Sequence, residues 1–222
     1  MKKIQIAIDG PAGAGKSTVA RRVAKELGYL YIDTGAMYRA LTYLALKKKI
    51  NLNDGAALKR LLDQTSIQLV QTDDGQEVYV DHENVTSEIR SREVSNAVSE
   101  VATHKEVRME MVNRQRMLAQ DGGVVMDGRD IGTNVLKDAT LKIYLSASVE
   151  ERARRRCQEL QQKGTNTDLA QVKKEIELRD RLDSERDTAP LKKARDAIEI
   201  DTTHVTVDEV TKQILSLVKE RD

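Results

Sequence analysis

The fold follows from one stretch of sequence, Ile8-Asp9-Gly10-Pro11-Ala12-Gly13-Ala14-Gly15-Lys16-Ser17-Thr18, which contains the phosphate-loop pattern G-x-x-x-x-G-K-[ST]. An apolar segment at residues 4–8 precedes it and an amphipathic segment at 16–27 follows it. In such a strand–loop–helix unit, glycines let successive backbone N–H groups point at phosphate oxygens, and the helix N-terminus adds partial positive charge. Residues 10–18 therefore predict an ATP site, in which Lys16 reaches the β- and γ-phosphates and Ser17 binds Mg²⁺.

The rest of the chain alternates apolar and amphipathic segments. Short apolar runs typical of buried strands lie at residues 4–8, 29–32, 123–126, 141–145 and 197–200. Helical patterns lie at 16–27, 36–48, 56–64, 101–119, 149–162, 169–182 and 207–219. This alternation predicts an α/β fold of three layers, in which helices cover both faces of a five-stranded parallel sheet.

One segment interrupts the alternation. Residues 66–70 and 77–80 are short alternating runs on either side of Thr72-Asp73-Asp74-Gly75-Gln76, a pattern that predicts an antiparallel hairpin. A hairpin does not belong inside a βαβ crossover. We therefore expect residues 64–98 to form a small inserted lobe, and residues 1–63 and 99–222 to form the core.

Composition excludes several classes of function. The 222 residues carry a net charge of +1, which argues against a general nucleic-acid binder. The single cysteine, Cys157, excludes a disulfide framework, and three widely spaced histidines offer no zinc-ligand spacing. No run approaches the roughly 18 apolar residues of a membrane span. These features predict a cytoplasmic protein, and the lack of a long exposed apolar stripe predicts a monomer.

Two polar segments follow predicted strands directly. Asp33-Thr34-Gly35-Ala36-Met37-Tyr38-Arg39 comes after the second strand, and Asp127-Gly128-Arg129-Asp130 comes after the third. Open α/β sheets bind ligands at the carboxyl ends of their strands. Arg39 and Arg129 suit a phosphate monoester, because a guanidinium presents paired donors to phosphate oxygens. The sequence is equally compatible with two roles for Asp33 and Asp127. They could order metal-bound water, or they could form hydrogen bonds at the strand ends.

The phosphate loop alone does not distinguish a kinase from a nucleotide-dependent switch. A GTPase would carry an Asn-Lys-x-Asp motif and an Asp-x-x-Gly motif, and the sequence contains neither. Two hypotheses remain at this point: a kinase, whose acceptor the phosphate loop does not identify, and a switch or binding module.

The sequence resembles the bacterial cytidylate kinases of the nucleoside monophosphate kinase group. The resemblance rests on IDGPAGAGKST (8–18), DTGAMYR (33–39), EIRSREVSNAVSEVA (88–102), DGRDIGT (127–133) and RDRLDSERDTAPL (179–191). It implies phosphoryl transfer from ATP to CMP or dCMP with Mg²⁺, and an insertion that binds the nucleoside monophosphate. A kinase of the same fold for UMP or a non-nucleotide acceptor is the alternative. It further implies three groups of acceptor-binding residues: Arg39, Arg129 and Arg186 for the phosphate, Thr34, Ser99, Arg108 and Asp130 for the cytosine, and Asp183 with Arg179 for the ribose. One departure is Thr34, where some relatives carry Ser.

A cationic stretch begins after the fourth predicted strand. Arg152, Arg154, Arg155 and Arg156 open a helix that Lys163-Gly164-Thr165-Asn166 breaks, and a second helix follows. Such a hairpin predicts a lid over ATP at about residues 152–188, although interleaved glutamates also fit a solvated face. Four arginines in five positions cannot all face one way. We expect Arg154, Arg156 or both to reach phosphate, so that with Lys16, Arg129 and Arg186 they form the catalytic set.

Overall fold

A computed structural model of the chain describes residues 3–72, 75–162, 164 and 167–221. Its centre is a parallel sheet of five strands, which confirms the fold class predicted from the sequence. The strands are β1 (Gln5–Asp9), β2 (Leu30–Asp33), β6 (Val124–Gly128), β7 (Leu141–Ser146) and β8 (Ile198–Asp201). They lie in the order β2–β6–β1–β7–β8, and each begins and ends within two residues of its predicted bounds.

The sheet is covered on both faces, and the alternation of side chains along β1 shows how. Ile6 and Ile8 pack with helices α1 (Lys16–Leu27) and α8 (Val207–Lys219). Ala7, between them, packs on the other side with Val112 of α5 (Lys105–Leu118) and Ile131 of a π-helical turn (Ile131–Val135). All three β1 residues are fully buried, as expected for a strand at the centre of a parallel sheet.

The order of the strands creates the functional edge of the sheet. Because β2, β6 and β1 are neighbours and parallel, their carboxyl ends lie side by side. The register pairs Asp9 with Gly128 and Asp33 with Asp127. The phosphate loop and both polar segments singled out in the sequence therefore meet at one edge, where open α/β sheets bind their ligands.

A second, antiparallel sheet lies between β2 and β6 in the sequence. It contains β3 (Ile67–Thr72), β4 (Gly75–Val80) and β5 (Glu83–Asn84), and Asp73 and Asp74 of the predicted turn lie outside the described residues. Its apolar side chains join one cluster with α2 (Thr34–Lys47), α3 (Gly55–Asp63) and α5. The lobe therefore packs on the helix that follows β2 and carries Arg39.

The helix predicted at residues 101–119 is wrong at its start, because α5 begins at Lys105 and residue 101 ends a separate helix that was not predicted. Helix α4 (Arg92–Val101) ends before α5 begins, and a 3₁₀ turn (Glu88–Arg90) precedes α4. At the break, the His104 ring Nε2 lies 2.7 Å from the Leu52 carbonyl oxygen, a contact with the loop before α3. The lobe boundary predicted between residues 98 and 99 falls inside α4, and the extents of the two domains stay a prediction.

Helices α6 (Val149–Gln162) and α7 (Leu169–Glu185) form a hairpin after β7. A small cluster that includes Ala153, Cys157 and Ile176 holds them together. Of the predicted break, Lys163, Thr165 and Asn166 lie outside the described residues. No helix in the described part of the chain is long and apolar enough to cross a membrane.

Candidate active site

The phosphate loop has the backbone that its glycines permit. Gly10, Gly13 and Gly15 have φ values of 149°, 77° and 87°, in the region that side chains other than glycine rarely adopt. A Cβ on Gly10 would lie 2.1 Å from the Leu145 carbonyl oxygen, so no other residue fits there. Helix α1 begins at Lys16, and the N–H groups of its first turn face the loop. The strand, loop and helix thus have the backbone that an anion site needs, and binding of ATP by residues 10–18, which include Pro11, Ala12, Ala14, Ser17 and Thr18, stays a prediction.

Lys16 is buried within this loop. Its Nζ donates a hydrogen bond to the Pro11 carbonyl oxygen at 2.7 Å, and the side chain is 5% exposed. Burial and the neighbouring Arg129 guanidinium lower the pKa of Lys16 well below its ordinary value. An anion in the loop would reverse this shift, because it favours the charged ammonium.

Ser17 and Asp127 place two side-chain oxygens next to each other beside the phosphate loop. The Ser17 hydroxyl donates to Asp127 Oδ2 at 2.9 Å, and the Tyr31 hydroxyl donates to Asp127 Oδ1 at 2.8 Å. Burial and the nearby Asp33 raise the pKa of Asp127 to about 6. The described residues contain no cluster of three or more His, Cys, Asp or Glu side chains. Mg²⁺ commonly takes one or two protein oxygens and completes its shell with phosphate and water, so the residues present fit it.

Asp33, which the sequence could not separate from Asp127, has a different environment. Its Oδ1 accepts from the Ala36 N–H at 2.8 Å and caps helix α2, while its Oδ2 accepts from Arg39 Nη2 at 2.9 Å. Burial alone would raise the pKa of Asp33, but Arg39 and the cap hold it below its ordinary value. Asp33 therefore makes strand-end hydrogen bonds to α2, whereas Asp127 faces the Ser17 hydroxyl.

Several cations converge beside the phosphate loop. Burial and the adjacent Arg129 lower the pKa of Arg179 to about 10, and Arg39 and Arg156 act in the same direction. Arg129 donates through Nε to Asp183 at 2.8 Å, and the Ser99 hydroxyl donates to the same carboxylate at 3.3 Å. Clustered like charges are stable only near compensating anions, so this group is suited to a second phosphate.

A buried ion pair lies next to this group. Arg108, which is 2% exposed, donates through Nη2 to Asp130 at 2.6 Å. Asn134 donates to the same oxygen at 3.0 Å, and Arg186 Nη2 lies 3.4 Å from the other oxygen of Asp130. The Thr34 hydroxyl donates to the Asp127 carbonyl at 2.7 Å, at the start of the same segment. The structure thus brings together the acceptor-side residues that the sequence singled out.

Comparison with known proteins decides the family. The family model for cytidylate kinase matches residues 6–220. The chain belongs to the cytidylate kinase family. Cytidylate kinases of Geobacillus sp. (strain WCH70), Geobacillus thermodenitrificans and Bacillus subtilis are 62%, 60% and 55% identical to it. These alignments cover 98%, 99% and 99% of this chain and 97%, 98% and 98% of the relatives.

Solved structures of distant sequence share the fold. Shikimate kinase from Acinetobacter baumannii matches with a TM-score of 0.50 at 17% identity, and the match covers 99% of this chain and 94% of that one. An uncharacterized protein from Eubacterium ventriosum matches with a TM-score of 0.53 at 15% identity, over 99% and 100% of the two chains. This chain thus shares its fold with a shikimate kinase of distant sequence.

The arginines at the start of α6 divide by helix face in this family member. Arg154 lies about 200° around the helix from Arg152, and its side chain is 63% exposed and paired with Glu151. The structure does not bring Arg154 to the phosphate loop. Arg156 pairs with Glu159 at 3.0 Å on the side of Arg179, and its contact with phosphate stays a prediction.

Three polar side chains that support the loop were missed. Arg152 donates to the Ala12 carbonyl at 3.0 Å and pairs with Asp180 of α7 at 2.6 Å. The Thr202 hydroxyl lies 3.1 Å from the Ala14 carbonyl, and Arg155 donates to the Thr202 carbonyl at 2.5 Å. For Arg152 and Arg155, the only sequence signal was their spacing, which places both side chains on one face of a helix. The Tyr31 contact with Asp127 had no such signal.

Proposed function

We propose that this chain transfers the γ-phosphate of ATP to CMP or dCMP, giving ADP and CDP or dCDP. The observation that carries the proposal is the buried Arg108–Asp130 pair beside the arginine group, at the sheet edge that also holds the phosphate loop. Full-length relatives named cytidylate kinase support the same acceptor.

The Arg108–Asp130 pair is chemically matched to cytosine. Cytosine presents an N4 amino donor beside the N3 and O2 acceptors. Asp130 can accept from N4, and the Thr34 hydroxyl, whose hydrogen is directed to the Asp127 carbonyl, meets a base as an acceptor. Arg108 can donate to O2 or N3. Uracil places a carbonyl at position 4, so two acceptors would face each other in a closed site.

The remaining cations are assigned to the acceptor phosphate and to the transfer. Arg39, Arg129 and Arg186 hold the phosphate of CMP, and Lys16 compensates charge on the group in transit. Since a phosphate oxygen is the nucleophile, the reaction asks for positioning and charge compensation rather than for a general base. Ser17 and Asp127 would hold Mg²⁺, which when bound neutralises charge on the ATP phosphates.

The helical hairpin and the ribose contacts complete the proposal. Asp183 and Arg179 lie on α7, so the helix that contacts the ribose also belongs to the lid. Arg152 joins the phosphate loop to Asp180 of the same helix. Closure of the lid at residues 152–188 would exclude water, which otherwise accepts the phosphoryl group wastefully. We place the reaction in the cytoplasm, where ATP and CMP are available, and expect a monomer.

The test is the rate of ADP formation with CMP, dCMP, UMP and AMP measured side by side. We expect CMP and dCMP to exceed UMP in kcat/KM by about tenfold or more. Lys16→Ala should lower kcat by about 10²-fold or more, whereas Lys25→Ala, which removes an exposed lysine of the same helix, should leave it unchanged. Equal use of UMP would indicate a kinase of broader acceptor range. Slow ATP hydrolysis that no acceptor stimulates would indicate a switch or binding module.

A further inference from the structure

One buried carboxylate at the functional edge takes no part in the transfer described above. Asp9, the last residue of β1, is 4% exposed. Its Oδ1 accepts from the backbone N–H of Ile131, and its Oδ2 accepts from that of Gly132, both at 2.8 Å. Both oxygens are thus committed to backbone groups that follow Asp130 directly. Asp9 lies directly before the phosphate loop. It therefore connects the end of β1 to the turn that follows Asp130, the proposed cytosine-reading carboxylate.

The turn depends on this contact for its conformation. The Asp130 carbonyl accepts from the N–H groups of Asn134 and Val135, which closes the π-helical turn from its far end. The N–H groups at the near end, those of Ile131 and Gly132, are buried and bond to Asp9. Buried backbone N–H groups require a partner, so the carboxylate acts as a cap supplied from a distant strand. The position of Asp130 is therefore set from the β1 side.

Gly132 shows how closely the two segments approach. A Cβ on Gly132 would lie 3.1 Å from Lys142 Cδ and 3.4 Å from Asp9 Oδ2. The first distance is tighter than an ordinary van der Waals contact, and Lys142 of β7 is itself buried and paired with Asp196, so a methyl group would shift the turn. Gly132→Ala therefore displaces the turn that Asp9 binds and leaves the carboxylate itself unaltered.

We propose that Asp9 is a positioning residue for acceptor selection: by binding the two N–H groups after Asp130, it fixes the carboxylate that chooses between cytosine and uracil. The inference rests on the proposed function, since it presumes that Asp130 contacts the base. Asp9 itself does not contact the nucleotide, because both of its oxygens face the protein backbone. Its contribution reaches the acceptor through the geometry of residues 130–132.

The test compares Asp9→Asn with Asp138→Asn, an exposed carboxylate in the segment after the turn. Asparagine has one acceptor oxygen, so its amide N–H₂ would oppose one of the two backbone donors. We expect kcat/KM for CMP to fall by about tenfold or more, and the CMP-to-UMP ratio to fall about fivefold or more. The KM for ATP should stay within about twofold, because the phosphate loop keeps its own hydrogen bonds. Asp138→Asn should change none of these values.

Gly132→Ala should also lower the CMP-to-UMP ratio of kcat/KM. If Asp9→Asn does not fold, the ratio measured for Gly132→Ala tests the positioning role. An unchanged CMP-to-UMP ratio in folded enzyme, or an equal loss for both acceptors together with a raised KM for ATP, would overturn the positioning role. If the unmodified enzyme shows no preference for CMP, the proposed function itself fails. A preference that both variants retain refutes only the role of Asp9.

Discussion

Replacing Asp130 by asparagine separates base recognition from the stability of the acceptor site. The carboxylate is 5% exposed and lies between the buried Arg108 and Arg186. Asparagine has the same shape and keeps one oxygen, so Arg108 and Asn134 can still donate to it. Its amide group then faces Arg186, a donor against a donor. The substitution removes one negative charge and changes little else.

The magnitude follows from these contacts. A hydrogen bond to a charged group contributes about 1.5–3 kcal/mol and a neutral one about 1, so the free energy of unfolding should fall by about 1–2 kcal/mol. In a domain of this size that lowers Tm by about 2–8 °C. For the base, an unpaired buried acceptor costs on the order of 1–3 kcal/mol, or roughly 5- to 150-fold in discrimination. That discrimination should be lost in Asp130→Asn, because the introduced side-chain amide can donate to O4 of uracil.

The assay is kcat/KM for CMP and for UMP, measured on enzyme whose folding has been checked by thermal unfolding. We expect the value for CMP to fall and the value for UMP to hold or rise. Arg108→Ala, in contrast, should weaken both acceptors, because O2 is common to both pyrimidines. A folded Asp130→Asn enzyme with an unchanged ratio would refute the assignment, and Thr34 and Ser99 would then be the candidates for base recognition.

Four further outcomes are expected. Lys16→Ala should fold normally and lose about 10²-fold or more in kcat, measured by ADP release, because the ammonium acts on charge that develops in transfer. Hydrogen exchange at residues 64–98 should slow with CMP and much less with an ATP analogue; equal slowing by both would contradict an acceptor-binding lobe. The Tyr38 hydroxyl is buried without a hydrogen-bond partner among the described residues, and the charged Arg108 and Asp130 lie close enough to shift its pKa. Tyr38→Phe should therefore raise the KM for CMP about fivefold without lowering Tm. The control variant Tyr43→Phe should leave the KM for CMP unchanged. Burial raises the pKa of Asp9 to about 6 from an ordinary 3.8, so folding takes up a proton between these pH values. The free energy of unfolding, measured in urea, should therefore fall by on the order of 3 kcal/mol as the pH rises from about 4 to 6. This fall should be absent in Asp9→Asn.

The sequence determined the features that depend on local backbone chemistry. Residues 10–17 had to form a phosphate loop, because the positive φ values at Gly10, Gly13 and Gly15 are open to glycine and to little else. The five strands were recognisable because strands buried on both faces read as continuous apolar runs. Helix α1, from Lys16 to Leu27, was predicted to the residue, since glycines bound it on both sides. The break between α4 and α5 was missed, because no glycine or proline marks it.

Only the tertiary structure decided which side chains meet across long separations. Ser17 and Asp127 are 110 residues apart, and Asp9 and Ile131 are 122 apart. Their contacts exist because β6 pairs with both β1 and β2, an order that no local pattern contains. The same holds for the α6–α7 hairpin. The sequence shows four arginines there, but the helix phase and the packing of α6 on α7 turn Arg152 to the loop and Arg154 to solvent. Local sequence restricts backbone conformation residue by residue, whereas these contacts are fixed by the burial of whole sheet faces and the strand order that achieves it.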